Sequence, residues 1–399
     1  MRSTMYSAAI ELVKLVREEL YPGLSEVPLH EPAFDGRERE YVIDAIDSTF
    51  VSSVGKYVDR FEAAVAQFTG SAHAVATVNG TAALHVGLVL LGVEPGDEVI
   101  TQPLTFVATA NAVRYCGAHP VFVDIDSNTL GLSPGALGRF LVEHTRLDNQ
   151  GRPINRQTGR RIAACMPMHS YGFPSYIGEL VEICSDWGIA VVEDAAESLG
   201  SLVGGKHTGL FGRAGVVSFN GNKTVTTGGG GMLITSDGEL ARRARHLTTT
   251  AKVPHRWEYV HDELGYNYRL PNINAALGCA QMEQLALKLE NKRRVAEAYM
   301  RFFEQPQWVD SGYQLITERE GAKANYWLNT LLCPDRASRD DFLQYSNSHG
   351  VMTRPAWELM YRLPQYRDSL NAGCPVAEDI AARLVNLPSS PLGSGGRKA

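Results

Sequence analysis

Residues 216–235, VVSFNGNKTVTTGGGGMLIT, predict a buried strand, a tight loop and a second buried strand. The loop carries Lys223, and a run of glycines, Gly228 to Gly231, follows it. The apolar residues on either side are typical of buried strands, and glycine lets backbone approach a ligand closely. A lysine fixed between two such strands suits an amine that must meet one carbonyl group. In isolation, however, the pattern is more typical of a hairpin with a solvated lysine.

Similar short apolar runs occur towards the N terminus, where they alternate with helical stretches. From Ala72 onwards the apolar runs are AHAVATV, EVITQPL, HPVFVDID, IAACMPMHS and IAVVEDAA. Strands that alternate with helices predict βαβ units and a mostly parallel sheet. Runs such as AVVED are apolar on both faces, as a sheet covered by helices on both sides requires. The sequence therefore predicts an α/β fold.

The remainder of the chain predicts a second, smaller domain. After Asn272 the apolar spacing is helical and predicts one long helix that ends near Phe303. Strands are predicted at 325–333 and near 351–353, and helices at 338–348 and 375–385. We predict four parts: an N-terminal extension (1–30), a large domain (31–270), a linking helix with the small C-terminal domain (271–390), and a flexible tail (391–399).

Residues 146–161 interrupt this pattern with a polar, basic segment, RLDNQGRPINRQTGRR. Its later arginines could bind a phosphate group: Arg152, Arg156, Arg160 and Arg161. A solvated excursion is the favoured interpretation, because runs of charge are usually exposed.

Composition and charge argue against several classes of protein. The 399 residues are 44% hydrophobic and 21% charged, as in a globular protein. The net charge of −6 gives no overall field that would attract nucleic acid or an anionic membrane. The six cysteines form no CxxC or Cys/His cluster, so we predict neither a metal site nor a disulfide framework. The chain opens with no signal peptide and has no membrane-spanning stretch, so we predict a cytoplasmic protein.

Four further places in the predicted α/β domain could meet around the lysine. Gly80 and Thr81 follow a strand and open a helix, a junction whose free N–H groups and positive dipole bind phosphate. Asp194 ends a hydrophobic strand, where ligands of such sheets bind, and a cationic ligand nitrogen would be a strong partner for it. Phe106 could stack on a flat ring, and Ser218 could reach a phosphate oxygen.

Each of these features also has an ordinary structural explanation. The junction could be a plain helix cap, the carboxylate could cap the next helix, the phenylalanine could belong to the core, and the serine could bond locally. Together, however, they supply a phosphate cradle, a ring-stacking group, a carboxylate for a ring nitrogen and an amine. Pyridoxal phosphate requires this set, because a lysine forms a Schiff base with its aldehyde and an acid keeps its pyridinium protonated. We therefore predict a pyridoxal phosphate site.

The motifs around these residues resemble those of one family. In chain order they are GTAAL (80–84), TFVATANA (105–112), EDAAESLGS (193–201), SFNGNK (218–223) and GYNYRLPNINAALGCAQ (265–281). At these positions the chain resembles the DegT/StrS family of sugar aminotransferases, which have the aspartate aminotransferase fold. The resemblance covers about residues 29–390. It implies a three-layer αβα domain with a mostly parallel seven-stranded sheet, plus a smaller C-terminal α+β domain.

The resemblance also implies a role for each matching residue. Lys223 would bond to the aldehyde of pyridoxal phosphate, Asp194 would bind the pyridine nitrogen, and Phe106 would stack on the ring. The phosphate would be held by Gly80, Thr81 and Ser218.

Four other positions are assigned with more alternatives. Asn267 would reach the cofactor phosphate of the neighbouring subunit, which implies a homodimer; from the residues alone it is a turn residue. Glu197 stands where many members have a glutamine that contacts the ring hydroxyl, so a protonated or water-bridged carboxyl is expected. His169 and Tyr326 are candidate substrate contacts. A core or capping histidine is equally typical of the first, and packing in the small domain is more typical of the second.

Other motifs resemble a narrower subgroup. LHEPAFDGRE, DSTFVSSVGKYVDRFE, INRQTGRR and NYWLNTLL resemble enzymes that aminate C4 of UDP-4-keto-6-deoxy-N-acetylglucosamine. We therefore expect ping-pong transamination of that nucleotide sugar for surface glycan biosynthesis, with L-glutamate as donor. A GDP-perosamine-type or 3-amino sugar aminotransferase is the nearest alternative. A non-catalytic regulator that senses pyridoxal phosphate or a sugar is the alternative from another class.

Overall fold

The computed structural model describes residues 2–392 of the chain. The helices of this part are α1 (Arg2–Lys14), α2 (Glu38–Asp47), α3 (Lys56–Thr69), α4 (Gly80–Leu90), α5 (Val107–Tyr115), α6 (Pro134–His144), α7 (Ile177–Asp186), α8 (Gly238–Thr248), α9 (Asn272–Glu283), α10 (Leu285–Phe303), α11 (Pro306–Asp310), α12 (Arg336–Ser348) and α13 (Pro375–Arg383). No helix among them has both the length and the apolar character needed to cross a bilayer.

The strands of the same part are β1 (His73–Thr77), β2 (Glu98–Thr101), β3 (His119–Phe122), β4 (Thr145–Leu147), β5 (Pro153–Asn155), β6 (Ile162–Cys165), β7 (Ala190–Asp194), β8 (Leu202–Val203), β9 (Lys206–His207), β10 (Ala214–Ser218), β11 (Gly231–Thr235), β12 (Gln314–Leu315), β13 (Ala322–Lys323), β14 (Asn329–Leu332), β15 (Arg354–Pro355) and β16 (Leu384–Leu387). Seven of them form the central sheet, in the order β1-β11-β10-β7-β6-β2-β3. From β10 to β3 all neighbours are parallel, whereas β11 runs antiparallel to both β10 and β1. The predicted mostly parallel, seven-stranded sheet is confirmed.

Helices cover both faces of this sheet because successive side chains of each strand point to opposite sides. In β11, Leu233 packs in the layer that contains α4, α5 and α8, whereas Met232 and Ile234 pack against α3 and α9. Towards the β3 edge, α6 and α7 continue the second layer, against Ile100 and Val191. The predicted three-layer αβα arrangement is therefore confirmed.

The smaller domain is built on a four-stranded antiparallel sheet in the order β12-β14-β16-β15. Its core includes Val295 of α10 and Phe342 of α12. The N-terminal helix α1 packs into the same core through Ala9 and Leu12 and lies against α12. The predicted α+β character of this domain is confirmed, while the chain division at residues 30 and 270 stays a prediction.

One helix prediction in this half is wrong, and another extends two residues too far. The long linking helix is two helices, because the N–H of Gln284 bonds to the carbonyl of Gln281, only three residues back, between the end of α9 and the start of α10. The helix predicted at 375–385 ends at Arg383, because the apolar residues that follow form β16 and pair with β14. Of the predicted flexible tail, residues 393–399 lie outside the described part.

The basic segment at 146–161 folds as the β4–β5 hairpin and the turn that follows it. Arg152 pairs with Asp148 at 2.8 Å, and Arg161 pairs with Asp97 at 2.5 Å. Carboxylates of the same region thereby engage these two arginines. The surroundings favour the solvated excursion over a phosphate site.

The glycine run brings β11 close to the first turn of α4. Gly231 pairs with Ser218 across the β10–β11 ladder. A Cβ atom on Gly231 would come 2.4 Å from the carbonyl carbon and oxygen of Asn79 and 2.6 Å from the nitrogen of Gly80. Gly229 has room, since the nearest atom to a Cβ there would be the Val78 oxygen at 3.8 Å. The close packing against α4 therefore requires a residue without a side chain at Gly231, but not at Gly229.

We expect Gly231→Ala to destabilise the fold by about 2–3 kcal/mol, because the backbone atoms that it would meet cannot rotate away. Gly229→Ala, two residues earlier in the run, is the matched control and should be neutral or slightly stabilising. Urea denaturation of both variants measures the difference. Equal midpoints for the two variants would contradict a structural role for the clearance at Gly231.

Candidate active site

Lys223 lies in the loop between β10 and β11, and its amine faces the interior. Backbone hydrogen bonds close the loop, from Lys223 N–H to the Asn220 carbonyl (3.0 Å) and from Thr227 N–H to the Phe219 carbonyl (3.0 Å). The lysine side chain is 13% exposed. Its Nζ donates a hydrogen bond to Oε1 of Glu197 at 3.0 Å. The loop therefore holds the amine at a defined place beside a carboxylate.

Asp194 ends β7, the strand next to β10 in the sheet. Its buried carboxylate accepts hydrogen bonds from the Thr109 hydroxyl (2.7 Å) and from Ala196 N–H (3.1 Å). Burial raises the pKa of Asp194, although these bonds and the charges of Lys223 and His169 act in the opposite direction. Within the described residues no basic side chain forms an ion pair with it. A protonated pyridine nitrogen would supply that positive charge, so this carboxylate fits pyridoxal phosphate.

The predicted phosphate ligands meet at the start of α4. Asn79 caps this helix by accepting a hydrogen bond from Ala82 N–H at 2.8 Å. The N–H groups of Gly80 and Thr81 belong to the first turn, where no intrahelical partner exists. Ser218 lies beside them, since a Cβ on Gly80 would come 3.2 Å from its Cβ and 3.4 Å from its Oγ. The structure therefore brings the three predicted phosphate ligands together.

Phe106 directly precedes α5 and presents an open face. Its side chain is 48% exposed, and its ring meets that of Trp357 edge-on at a centroid distance of 6.2 Å. The adjacent Thr105 hydroxyl lies 2.6 Å from that of Thr109, which binds Asp194. The start of α5 is thus tied to the carboxylate, and the exposed ring is available to stack on a ligand.

Glu197 connects the lysine to a second loop of the large domain. Its Oε1 accepts from Lys223, and its Oε2 accepts from Tyr171 N–H at 2.8 Å. Burial raises the pKa of Glu197 to about 7, against the effect of the lysine charge and these hydrogen bonds. Near neutral pH this group therefore exists both with and without a proton. Such a carboxyl fits a position where the resemblance leads us to expect an amide donor.

We expect Glu197→Gln to flatten the pH dependence of stability between pH about 4.5 and about 7. The folded protein holds the Glu197 proton more tightly than the unfolded chain does. Its contribution is therefore fully present below pH about 4.5 and is lost as pH rises through about 7. The loss is about 3 kcal/mol. Unfolding free energies at several pH values test this, with the exposed Glu320→Gln as control. Identical profiles for Glu197→Gln and the wild type would refute it.

Both predicted substrate contacts lie in the interior. His169 is fully buried, with Nε2 3.1 Å from Oε2 of Glu193, and its Nδ1 accepts from Ser175 N–H at 3.2 Å. Tyr326 is 1% exposed and packs edge-on against Phe173. These surroundings favour the alternative interpretations, a core histidine and a packing tyrosine.

Asn267 lies on the surface, between two tyrosines that pack inward. Tyr266 and Tyr268 stack on each other at 5.0 Å and contact His85 edge-on. The exposed Asn267 forms an isolated bridge with Thr249. This asparagine is therefore available to a second chain, as the dimer prediction requires.

Two residues of the site were not predicted from the sequence. The ring of Trp327 lies under the lysine amine, with Nζ 3.8 Å from its centroid. Thr109, which binds Asp194, is the other. A signal existed for Thr109, since it follows Thr105 by one helical turn within the motif TFVATANA. Trp327 belongs to the quoted motif NYWLNTLL, but nothing in that motif links it to a lysine 104 positions earlier.

Comparison with known families extends these observations. The family model described as the DegT/DnrJ/EryC1/StrS aminotransferase family matches residues 32–395. The chain belongs to this family. It is therefore an enzyme, a sugar aminotransferase that depends on pyridoxal phosphate. The predicted family and cofactor are confirmed.

Members of the DegT/DnrJ/EryC1/StrS family are similar to this chain over most of their length. A GDP-perosamine synthase of Escherichia coli O157:H7 is 36% identical over 365 residues, which are 92% of this chain and 93% of the relative. One of Vibrio cholerae is 35% identical over 368 residues, 92% of this chain and 94% of the relative. The structure of DesI, solved in the presence of its TDP-sugar product, is 28% identical with a TM-score of 0.77, over 92% of this chain and 88% of that one. These relatives are not of the narrower UDP-sugar subgroup that the motifs resemble.

Proposed function

We propose that this enzyme transfers the amino group of L-glutamate to C4 of a nucleotide-activated 4-keto-6-deoxy sugar. The observation that carries the proposal is the Lys223 amine beside a buried acid, next to the strand that ends in Asp194. No basic side chain of residues 2–392 forms an ion pair with that carboxylate. Relatives that share 92% of the chain's length and are named GDP-perosamine synthases support the sugar substrate and the 4-position.

Each residue of the site would have one task. Pyridoxal phosphate, when bound, supplies an aldehyde and a ring that withdraws electrons. Asp194 would hold the ring nitrogen and keep it protonated, and Phe106 would cover the ring. Nζ of Lys223 would remove the proton from Cα of glutamate and later deliver one to C4 of the sugar. Between these two steps the amine carries the proton, and Glu197, which accepts a hydrogen bond from Nζ, would hold the amine in place. The phosphate would be held by Gly80, Thr81 and Ser218.

GDP-4-keto-6-deoxymannose, which gives GDP-perosamine, is the first substrate that we propose. Its support is the 35–36% identity with GDP-perosamine synthases. UDP-4-keto-6-deoxy-N-acetylglucosamine is the second candidate, because LHEPAFDGRE and NYWLNTLL resemble enzymes that act on it. The motif NYWLNTLL contains Trp327, whose ring contacts the Lys223 amine, so this motif is part of the site.

A panel of keto-sugar nucleotides tests the proposal, with the purified enzyme, pyridoxal phosphate and L-glutamate. We expect GDP-4-keto-6-deoxymannose to release 2-oxoglutarate and to give a product whose NMR spectrum places the new nitrogen at C4. A preference for the UDP sugar would make the second candidate the substrate, and amination at C3 would contradict the 4-position. An absorption spectrum that glutamate leaves unchanged would contradict the proposal and favour a regulator.

We also propose that the active enzyme is a homodimer in which Asn267 of one chain reaches the cofactor phosphate of the other. Its support is the exposed position of Asn267 between tyrosines that are packed inward. Light scattering of the pyridoxal phosphate-loaded enzyme tests the assembly. A fully active monomer would contradict it.

A further inference from the structure

The small domain contributes one aromatic side chain to the lysine site. Trp327 lies just before β14, and its ring centroid is 3.8 Å from Nζ of Lys223. The tryptophan is 4% exposed, so this contact is shielded from water. A cation over the face of tryptophan is attracted by the ring quadrupole, and the attraction is larger where water is excluded. The ring therefore lies where it attracts the ammonium group of the lysine.

Hydrogen bonds fix the Trp327 ring relative to the lysine loop itself. Its indole Nε1–H donates to the carbonyl of Asn222, the residue before Lys223, at 2.9 Å. The backbone carbonyl of Trp327 accepts from Nζ of Lys292 at 3.1 Å. Lys292 is 1% exposed and also donates to the carbonyl of Ser389 at 2.6 Å. The ring is thus anchored both to the loop that carries the amine and to the interior of the small domain.

The segment before Trp327 is shaped to present the ring. Tyr326 has a left-handed backbone (φ 49°), which is costly for a side chain of this size and persists only where its surroundings enforce it. On one side of it, Asn325 accepts from Trp327 N–H at 2.8 Å and donates to the carbonyls of Glu197 (2.8 Å) and Leu199 (3.0 Å). All three residues therefore contact the large domain: Asn325 and Trp327 through these bonds, and Tyr326 through the ring of Phe173.

We propose that Trp327 is a positioning residue for the Lys223 amine: its ring holds the protonated amine, together with Glu197, whenever that amine is not bonded to the cofactor. The inference rests on the proposed function, in which the amine is released and recaptured in each turnover. The amine would otherwise be free to swing on four carbon–carbon bonds. With one face of Trp327 and one oxygen of Glu197 as its two contacts, it returns to the same place after each half of the reaction.

Chemical labelling of the apoprotein tests this without any turnover. A neutral acylating reagent reacts with the unprotonated amine, and peptide mass spectrometry gives the rate at Lys223 relative to the exposed Lys56 in the same sample. Fluorinated tryptophans placed at position 327 weaken the negative face of the ring and keep its shape, so the access of the reagent is unchanged. We expect the relative rate at Lys223 to rise stepwise with the number of fluorines, by about five- to thirty-fold in total.

The loaded enzyme gives a second measure. Trp327→Phe keeps an aromatic ring whose face attracts a cation less strongly. It should lower kcat with little change in the KM for the sugar nucleotide. Trp327→Leu should lower kcat further while the protein still binds pyridoxal phosphate. A labelling rate at Lys223 that does not depend on fluorination, or equal kcat values for Phe and Leu, would overturn the inference. Because the labelling requires no substrate, its result tests the role of Trp327 independently of the proposed sugar reaction.

Discussion

Lys223→Ala is expected to lose amine transfer by at least about 10³-fold, because the proton steps at glutamate Cα and at sugar C4 then lack their base and acid. The variant should also lose the absorbance of cofactor that is covalently bound to lysine. The rate of 2-oxoglutarate release from glutamate, measured in a single turnover, gives the first quantity, and the absorption spectrum gives the second.

Two controls separate the chemistry of this amine from its charge. Lys223→Arg keeps a cation that can pair with Glu197 but has no nucleophilic amine, so it should be as inactive as the alanine variant. Lys56→Ala removes a lysine that is 68% exposed and should leave both measurements unchanged. Retained turnover in either Lys223 variant would remove this residue from the reaction.

Asp194→Asn is expected to lower the rate of transamination by about 10²–10³-fold, because a neutral amide does not stabilise the protonated ring nitrogen. The same change should leave the apoprotein as stable as the wild type or slightly more stable. Burial raises the pKa of Asp194, which means that the charged form is unfavourable in this place until a cation joins it. Activity and apoprotein stability should therefore move in opposite directions.

Thermal unfolding of the apoprotein and single-turnover kinetics together measure this divergence. Asp310→Asn, an exposed carboxylate of α11, serves as control and should change neither quantity. A variant at Asp194 that is strongly destabilised without cofactor would show that the carboxylate is structural. Unchanged kinetics would show that it does not meet the ring nitrogen.

Much of the large domain was predictable because local patterns and global topology agree there. Apolar runs of four to five residues mark the strands of the central sheet, and the glycines mark the turn that brings β11 beside α4. Lys223 and Asp194 were identifiable because strand ends of a parallel sheet share one edge. The strand β16 was not, because it depends on pairing with β14, which is distant in the sequence.

The missed parts of the site have the same origin. Trp327 reaches Lys223 from another domain, and the left-handed backbone of Tyr326 leaves no mark in a pattern of apolar residues. His169 was proposed as a substrate contact because it follows a strand at the ligand edge. In the structure its imidazole instead contacts the buried carboxylate of Glu193. The N–H groups of Gly209 and Phe211 also donate to that carboxylate.

The hydrogen bonds between Asn325 and the loop of Glu197 affect when the site can form during protein synthesis. A ribosome adds about 5–20 residues per second, so position 327 is synthesised roughly 5–20 s after position 223. During that interval the nascent chain contains the lysine loop but lacks the Trp327 ring and the hydrogen bonds from Asn325. A chain that terminates at residue 270 would contain every residue predicted to bind pyridoxal phosphate and still lack a finished site. The lysine site can therefore form fully only after the residues around Trp327 have been synthesised.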